Sequence, residues 1–439
     1  MEHGTTVLLG LSGVAVRRVE LAAAGIRVVH VVTAEETAAA CPACGVFSTS
    51  VKGNVTTRPK DLPYGPAPVG LVWHKRRWRC REAGCRRATF TEQLPQVPAG
   101  ARTTVRLRAA LADAVVANRC VDEVARSHAV SWPTVARAVT ARAGQVLGEP
   151  APTPVLGIDE TRFGRPRWIR GEDGRWVRTD PWETGFVDLA GSQGLLGQVE
   201  GRTSRCVSDW LADRSEAFRA AVQVVALDPS APYAAAVRQA LPHAAIAVDH
   251  FHLVALANQA VTRVRQRVTR DQLGHRGRAV DPVWANRRLL LRGRERLSDK
   301  AFTRMWNGCI DHDPTGDLLA AWIAKEELRA LLACARRGGQ RHDISHRLHA
   351  FYDWCATIDV PEITTLAETI DRWWPAILVF LQTGITNAAT EGTNRTIKQV
   401  KRAACGFRNK THYRHRVRLH STRPDRRVPA RTARLPAQS

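Results

Sequence analysis

Acidic residues are scarce in this chain relative to basic ones. Its 439 residues include 41 Asp and Glu against 65 Lys and Arg, which gives a formal net charge of +24 at pH 7. A coding bias toward Arg over Lys does not account for a surplus of positive over negative charge. Because each phosphate that a basic side chain neutralises releases counterions, such a surplus favours a polyanionic partner. Nucleic acid is therefore the predicted partner, and a membrane surface is the weaker alternative.

Long apolar runs are missing as well, and with them any sign of membrane insertion. No uninterrupted apolar stretch is long enough to span a bilayer. The apolar segment 7–16 is short, lacks a basic lead-in and is followed by Arg17 and Arg18, which is typical of a strand rather than of a signal peptide. Without a secretion signal the chain is expected in the cytoplasm, where thiols stay reduced and clustered cysteines favour metal over disulfides.

Four of the ten cysteines lie close together in the sequence. Cys41 and Cys44 form a CxxC knuckle, in which two thiolates share one turn and reach the same tetrahedral ion, and Cys80 and Cys85 follow a basic, aromatic strand. This spacing predicts a zinc ribbon with a long middle loop. Because the second pair is looser than a CxxC knuckle, His74 is a possible substitute ligand. The alternative is four unrelated buried thiols.

Residues 121–139 have the spacing of a helix-turn-helix. An apolar helical face is followed by a turn at Val130, then by Ser131 as a possible helix cap and Pro133 in the first turn of the next helix. That second helix would enter the major groove of DNA with Thr134, Arg137 and Arg142 available for contacts. A plain helical hairpin within a bundle is the alternative.

Beyond a Pro-rich linker at 148–154, three apolar runs end in aspartates: Asp159, Asp228 and Asp249. With two further strands and two helices these runs predict a mixed α/β sheet, followed by helices over 251–380 and a last helix from Ala388. Carboxylates at strand ends line a cleft beside the sheet, and they repel one another unless a cation pairs them. Oxygen ligands suit Mg²⁺ or Mn²⁺, and two such ions can promote attack on a phosphodiester. Taken singly, each aspartate is equally consistent with a turn or a helix cap.

Residues 158–160, 227–233, 249–252 and above all 386–409 resemble bacterial insertion-sequence transposases of the ISL-three family, and the resemblance runs from about Cys41 to Arg418. It implies a zinc-binding segment, a helix-turn-helix and a ribonuclease-H-like DDE catalytic domain that a helical insertion interrupts. It also implies that Asp159, Asp228 and Glu391 are the catalytic carboxylates and hold two Mg²⁺ or Mn²⁺ ions. The family's accessory Asp-x-x-His element falls on Asp249 and His252.

The helix that carries Glu391 is also expected to contact DNA. Asn394 lies one turn beyond Glu391 on the same face and is expected in the active site. Basic residues then continue along the chain and could hold the DNA backbone near the metals. The residues expected in contact with DNA here are Lys398, Lys401, Arg402 and Arg408, and the basic track extends through Lys410, Arg414 and Arg416.

The predicted domain organisation has six parts. They are N-terminal strands with the zinc-binding module (1–98), the helix-turn-helix domain (101–147), the first part of the ribonuclease-H-like core (153–250), the helical insertion (251–380), the final core helix with a basic segment (381–420), and a disordered tail (421–439).

The resulting hypothesis is an enzyme of the bacterial cytoplasm, associated with the nucleoid. It would bind the terminal inverted repeats of an insertion sequence and act as a homo-oligomer on DNA. Water would expose a 3′ hydroxyl at the transposon end, and that hydroxyl would attack target DNA. The alternatives are an inactive transposase-derived DNA-binding protein or repressor, and a nuclease without strand transfer. A nuclease would not need two N-terminal DNA-binding modules, and the presence of all three carboxylates favours the enzyme.

Overall fold

The computed structural model describes residues 4–22, 25–64, 69–191 and 193–422. Contacts divide the chain into two units. The first unit contains Met1–Gly148 and Ile397–His420, and the second contains Glu149–Thr396 and Ser421–Ser439. No helix in the described ranges combines the length and the apolar character that crossing a membrane requires.

A five-stranded sheet opens the first unit. Its strands are β1 (Val14–Leu21), β2 (Arg27–Thr33), β3 (Val51–Thr57), β4 (Val69–Arg79) and β5 (Thr89–Thr91), in the order β1-β2-β4-β3, with β5 also paired to β4. Val31, Leu71 and Trp73 are buried in its core. A short helix, α1 (Gly4–Leu9), precedes β1. The expected strand at 7–16 is therefore wrong, because Gly10 and Gly13 adopt positive φ angles and turn the chain between helix and strand.

Three helices follow in the first unit: α2 (Val105–Val116), α3 (Val121–Ser127) and α4 (Trp132–Val146). Leu107, Val124 and Val135 are fully buried between them, which confirms the predicted apolar stripe. Ser131 occupies the N-cap position of α4 as expected. Its hydroxyl contacts the Thr134 hydroxyl at 2.9 Å, however, and makes no capping bond to a backbone amide.

A mixed five-stranded sheet forms the centre of the second unit, with β6, β11 and β12 parallel and β9 and β10 antiparallel to their neighbours. The strands are β6 (Val155–Arg162), β9 (Trp182–Asp188), β10 (Leu195–Glu200), β11 (Val224–Leu227) and β12 (Ala245–Val248), in the order β10-β9-β6-β11-β12. The helices between them are α5 (Ser204–Ala212), α6 (Glu216–Ala221) and α7 (Ala231–Ala240). An exposed hairpin, β7 (Arg167–Arg170) with β8 (Trp176–Thr179), is absent from the sequence prediction because it has no buried face whose pattern could reveal it.

The expected helical insertion follows β12. It consists of α8 (His250–Leu273), α9 (Pro282–Ala285), α10 (Arg287–Leu290), α11 (Asp299–Ile310), α12 (Asp317–Leu332), α13 (Arg341–Thr357) and α14 (Pro361–Thr383). Helix α14 packs against both α8 and β12, so the insertion returns the chain to the sheet. After a loop, α15 (Ala388–Ala403) carries Glu391, and the boundary between the two units falls within this helix.

The last helix, α16 (Lys410–Ser421), corrects two expectations. Leu419 is buried in the core of α2–α4, and the Arg416 Nη2 atom donates to the Arg119 carbonyl at 2.8 Å. Since Arg416 is only 2% exposed, it is a packing residue and no part of a basic surface track. Ser421, which was expected to begin a disordered tail, is the last residue of α16. The remainder of that expected tail, residues 423–439, lies outside the described residues.

Candidate active site

The register of three parallel strands brings the three aspartates to one edge of the sheet. Leu227 of β11 pairs with Ile158 of β6 and with Val248 of β12, so the residues that follow them are Asp159, Asp228 and Asp249. Neighbouring strands lie about 4.8 Å apart, which makes these aspartates neighbours. The sequence predicted that Asp159 ends its strand, but the structure places it inside β6. It pairs with Gly185 of β9, and β6 continues to Arg162.

Three small residues, each two positions before one of the aspartates, lie on the same face of the sheet as the aspartates. Gly157 aligns with Ala226, and Ala226 aligns with Ala247. A Cβ atom on Gly157 would lie only 2.2 Å from the Thr390 Oγ1 atom and 3.1 Å from the Asn387 Oδ1 atom. The glycine therefore lets the start of α15 lie directly on β6, which delivers Glu391 to the aspartate edge.

This close approach predicts that Gly157→Ala disrupts the site. The added methyl group would push Thr390 and Asn387 away from β6, at a cost of about 1–3 kcal/mol in the free energy of unfolding, and would displace Glu391. Gly392 is a matched control, because it lies in α15 with nothing within 4 Å of a Cβ atom. Gly392→Ala should stabilise the protein by about 0.5–1 kcal/mol. Equal unfolding midpoints in denaturant for the two variants would contradict this account.

Hydrogen bonds and an ion pair connect the predicted site residues. The Asn394 Nδ2 atom donates to Asp159 Oδ2 at 2.5 Å, and the His252 Nε2 atom lies 3.0 Å from Asp228 Oδ2. Glu391, in the first turn of α15, contacts the Arg395 guanidinium at 2.8 Å and is more than half exposed. The structure thus places Asn394 and His252 on the two catalytic aspartates that the sequence proposed.

The carboxylates also interact through their charges. Burial, together with the negative charge of Asp228, raises the pKa of Asp159 to about 7. Burial raises the pKa of Asp228 as well; His252 opposes this shift, whereas the charges of Asp249 and Glu391 add to it. Glu391 therefore lies in the same electrostatic cluster as the aspartates. Among the described residues, only the four cysteines bring three or more ligand atoms close enough to hold a single ion, and the convergence of Asp159, Asp228 and Glu391 around two ions stays a prediction.

Asp249 has a structural task at this edge. Its carboxylate accepts the Phe251 amide at 2.9 Å and so caps α8. Burial would raise the pKa of Asp249, but the hydrogen bonds from His250 and the Phe251 amide outweigh burial and lower it. The cap fixes the first turn of α8, which carries His252, and this is consistent with the accessory role that the family resemblance implies for Asp249 and His252.

Two residues near the site were missed by the sequence prediction. The Asn387 Nδ2 atom donates to the Ile158 carbonyl at 3.1 Å, at the point where β6 and β11 stop pairing. Glu160 lies beside the cluster, and burial followed by the charge of Asp228 raises its pKa. Their only sequence signal was proximity, since Glu160 adjoins Asp159 and Asn387 precedes the helix of Glu391.

The four cysteines of the first unit form a second centre. The Cys41 and Cys85 sulfurs lie 3.9 Å apart, and those of Cys44 and Cys80 lie 3.6 Å apart. Tetrahedral zinc with Zn–S bonds of about 2.3 Å requires sulfurs about 3.8 Å apart, so this set fits zinc. His74 is not a ligand, because its Nε2 atom lies 3.0 Å from the His30 Nδ1 atom and the two rings stack.

The residues predicted to contact DNA are mostly on the surface of the first unit. Arg137 and Arg142 of α4 are exposed, whereas the Thr134 hydroxyl is engaged by Ser131. Lys398, Arg402 and Arg408 are exposed too. Lys401 is half-buried, and burial together with the charge of Lys398 lowers its pKa.

Comparison with known families identifies this arrangement. A family described as "Transposase" (DDE, ISL3) matches residues 156–417, which is more than half of the chain. The "zinc-finger of transposase IS204/IS1001/IS1096/IS1165" matches residues 37–85, and the "Helix-turn-helix domain of transposase family ISL3" matches residues 92–143. The protein belongs to the ISL3 family of DDE transposases. It is thus a DNA transposase with a zinc ribbon, a DNA-binding helix-turn-helix and a catalytic domain of a class that uses divalent metal.

Individual relatives agree with this family. The chain is 25% identical over 379 residues to the transposase for insertion sequence element IS1001 of Bordetella parapertussis, covering 86% of this chain and 87% of that protein. It is 29% identical over 281 residues to the transposase for IS1557 of Mycobacterium tuberculosis, covering 58% and 57%. The Drosophila P element transposase in a strand transfer complex is similar at a TM-score of 0.37 and 8% identity, covering 72% and 92%, which is too distant to support an argument.

Proposed function

We propose that this transposase cleaves the ends of an insertion sequence and joins them to target DNA at a two-metal site formed by Asp159, Asp228 and Glu391. The observation that carries the proposal is the shared electrostatic cluster, in which the charges of Asp228 and Glu391 act on neighbouring carboxyls. We further propose that the mixed sheet is the ribonuclease-H-like core that the family resemblance implies, with the helical insertion between β12 and α15.

Mg²⁺ or Mn²⁺ suits this set of oxygen ligands and, when bound, supplies Lewis acidity for attack on a phosphodiester. The protein contributes orientation. Asn394 donates to the Oδ2 atom of Asp159, the Glu160 backbone amide donates to its Oδ1 atom at 2.7 Å, and His252 contacts one oxygen of Asp228. Glu391 must leave Arg395 in order to act as a ligand, and its exposed position allows this rotation.

We propose that the ends are recognised by the first unit. Arg137 and Arg142 of α4 would contact bases or phosphates in the major groove, with Thr134 beside them. Lys398, Lys401, Arg402 and Arg408 would hold the DNA backbone. We propose the domain divisions of the sequence analysis as the functional ones, and a homo-oligomer on DNA in the bacterial nucleoid as the acting species, since two ends are joined to one target.

Strand transfer on a plasmid tests the function. The substrate would carry the inverted repeats that flank the gene, and the reaction would be run with Mg²⁺, with Mn²⁺ and with chelator. Metal-dependent joining of the ends to target DNA supports the proposal. Cleavage without joining would identify a nuclease, and binding without cleavage would identify a DNA-binding protein or repressor.

The raised pKa of Asp159 predicts pH-dependent metal binding. In the folded protein this carboxyl keeps its proton up to a pKa of about 7, above the usual value of about 3.9. Its contribution to stability is therefore complete at low pH and is lost as the pH rises through about 7, where the charged form is buried beside Asp228. A cation removes that penalty but must compete with the proton at lower pH.

We accordingly expect Mg²⁺ to raise the thermal unfolding midpoint more at about pH 8 than at about pH 6. Differential scanning calorimetry with and without Mg²⁺ measures this difference. In Asp159→Asn the dependence on pH should become much weaker. An Mg²⁺ effect that is the same at both pH values in the parent protein would show that Asp159 is not a ligand.

A further inference from the structure

The first part of the helical insertion is far more basic than the rest. Residues 262–304 contain thirteen Lys and Arg and only four Asp and Glu, whereas residues 311–372 contain seven basic and eleven acidic residues. A general coding bias toward Arg would not divide one helical insertion in this way. The positive charge is therefore concentrated at one part of it, near the C-terminal end of α8 and the segments that follow.

Many of these arginines have no acidic partner. Arg267 and Arg294 form ion pairs with nearby carboxylates. Seven others are exposed and form no ion pair within the ranges that the structure describes: Arg263, Arg270, Arg276, Arg278, Arg288, Arg292 and Arg304. Unpaired guanidinium groups are suited to phosphate, which they can bind through two parallel hydrogen bonds.

The loop after α8 is held in a defined shape. Gly277 has a φ angle of +105°, and a Cβ atom there would lie 2.5 Å from the Trp284 Cδ1 atom. The Trp284 ring also contacts a positive charge, because the Arg287 guanidinium lies 3.3 Å from the centre of this ring. The Arg278 amide donates to Asp281. The loop therefore presents Arg276 and Arg278 from a fixed backbone.

A buried arginine beneath this loop has no acidic partner among the residues that the structure describes. Arg265 is 6% exposed, and its guanidinium makes a long contact of 3.4 Å to the Arg276 carbonyl. Burial, followed by the positive charge of Arg287, lowers the pKa of Arg265. Two like charges held together away from water are costly, and a bound anion would offset that cost.

Helix α8 connects this surface to the active site. Its first turn carries His252, which contacts Asp228, and it ends at Leu273, with Gly274 as its C-cap. A helix of 24 residues is roughly 36 Å long. Because B-form DNA rises about 3.4 Å per base pair, this length corresponds to about ten base pairs of duplex.

We propose that the exposed Arg276, Arg278 and Arg288 form a second DNA-backbone-binding surface, about one turn of duplex from the catalytic carboxylates, with Arg265 and Arg287 adding positive charge beneath it. We call it the α8-end surface. The inference rests on the proposed function only in taking DNA as the polyanion. It does not depend on which carboxylates are catalytic.

Salt-dependent binding tests the α8-end surface. The full chain would be titrated with a random-sequence duplex of about 40 base pairs, long enough to span the distance in question. The test variant is Arg276→Ala with Arg278→Ala. The matched control is Arg341→Ala with Arg372→Ala, which removes two exposed arginines that form no ion pair with any described residue from the acidic part of the same insertion.

For the test variant we expect the slope of log affinity against log salt concentration to fall by about 2, as for two lost phosphate contacts. The control variant should keep the parent slope. Equal slopes for the two variants would overturn the proposal. DNA binding requires no cleavage, so the expected change in slope would be the same if the two-metal assignment proved wrong. Conversely, an unchanged slope in the test variant would not contradict the catalytic proposal.

Discussion

Glu391→Gln should abolish DNA cleavage and strand transfer, with a loss of about 10³-fold or more in rate, while DNA binding stays near the parent level. The amide keeps the shape of the side chain but removes the negative charge that a divalent ion requires. Glu391 is more than half exposed and supports no core, so the fold should be unaffected. Asp159→Asn and Asp228→Asn should cause losses of the same order.

Glu216→Gln is the matched control for this experiment. Glu216 also lies in the first turn of a helix of the second unit and is exposed, but it is on α6 and outside the carboxylate cluster. Its variant should keep full activity. If Glu391→Gln joined ends to target DNA at the parent rate, the two-metal assignment would fail and another carboxylate, such as Glu160 beside the cluster, would have to take its place.

Cys44→Ser should remove zinc and unfold the segment that the four cysteines hold together. Structural zinc contributes about 10–16 kcal/mol of binding free energy in small modules, and that energy is coupled to folding. The sulfurs are held above a small core of Trp78 and Phe90, which is too little to keep this segment folded alone. Elemental analysis should show about one zinc per parent chain and almost none in the variant, with weaker DNA binding.

The control for zinc loss is Cys405→Ser. Cys405 is exposed like Cys44 and belongs to the same unit, but it is not part of the four-cysteine group. This variant should keep its zinc and its DNA affinity. Full zinc retention in Cys44→Ser would contradict the ligand assignment. No substitute ligand is expected, because His74 contacts His30 and no other described His, Asp or Glu lies close enough to the remaining cysteines.

The sequence alone determined the features that depend on local pattern. Cysteine spacing predicted the metal centre at Cys41, Cys44, Cys80 and Cys85, and the resemblance of residues 386–409 predicted the family. Apolar runs predicted that strands lead into Asp159 and Asp228, because a buried strand requires consecutive apolar residues whatever lies elsewhere in the chain.

Only the tertiary structure decided which distant residues meet. The hydrogen bond between Asn394 and Asp159 joins residues 235 positions apart, and it depends on Gly157 leaving room for α15. Two other contacts also join residues that are distant in the sequence. Leu419 packs into the helix-turn-helix core, and His74 contacts His30. Helical or strand periodicity shows which face of an element is apolar, but the partner that covers it is chosen by packing across the whole chain, which no local pattern contains.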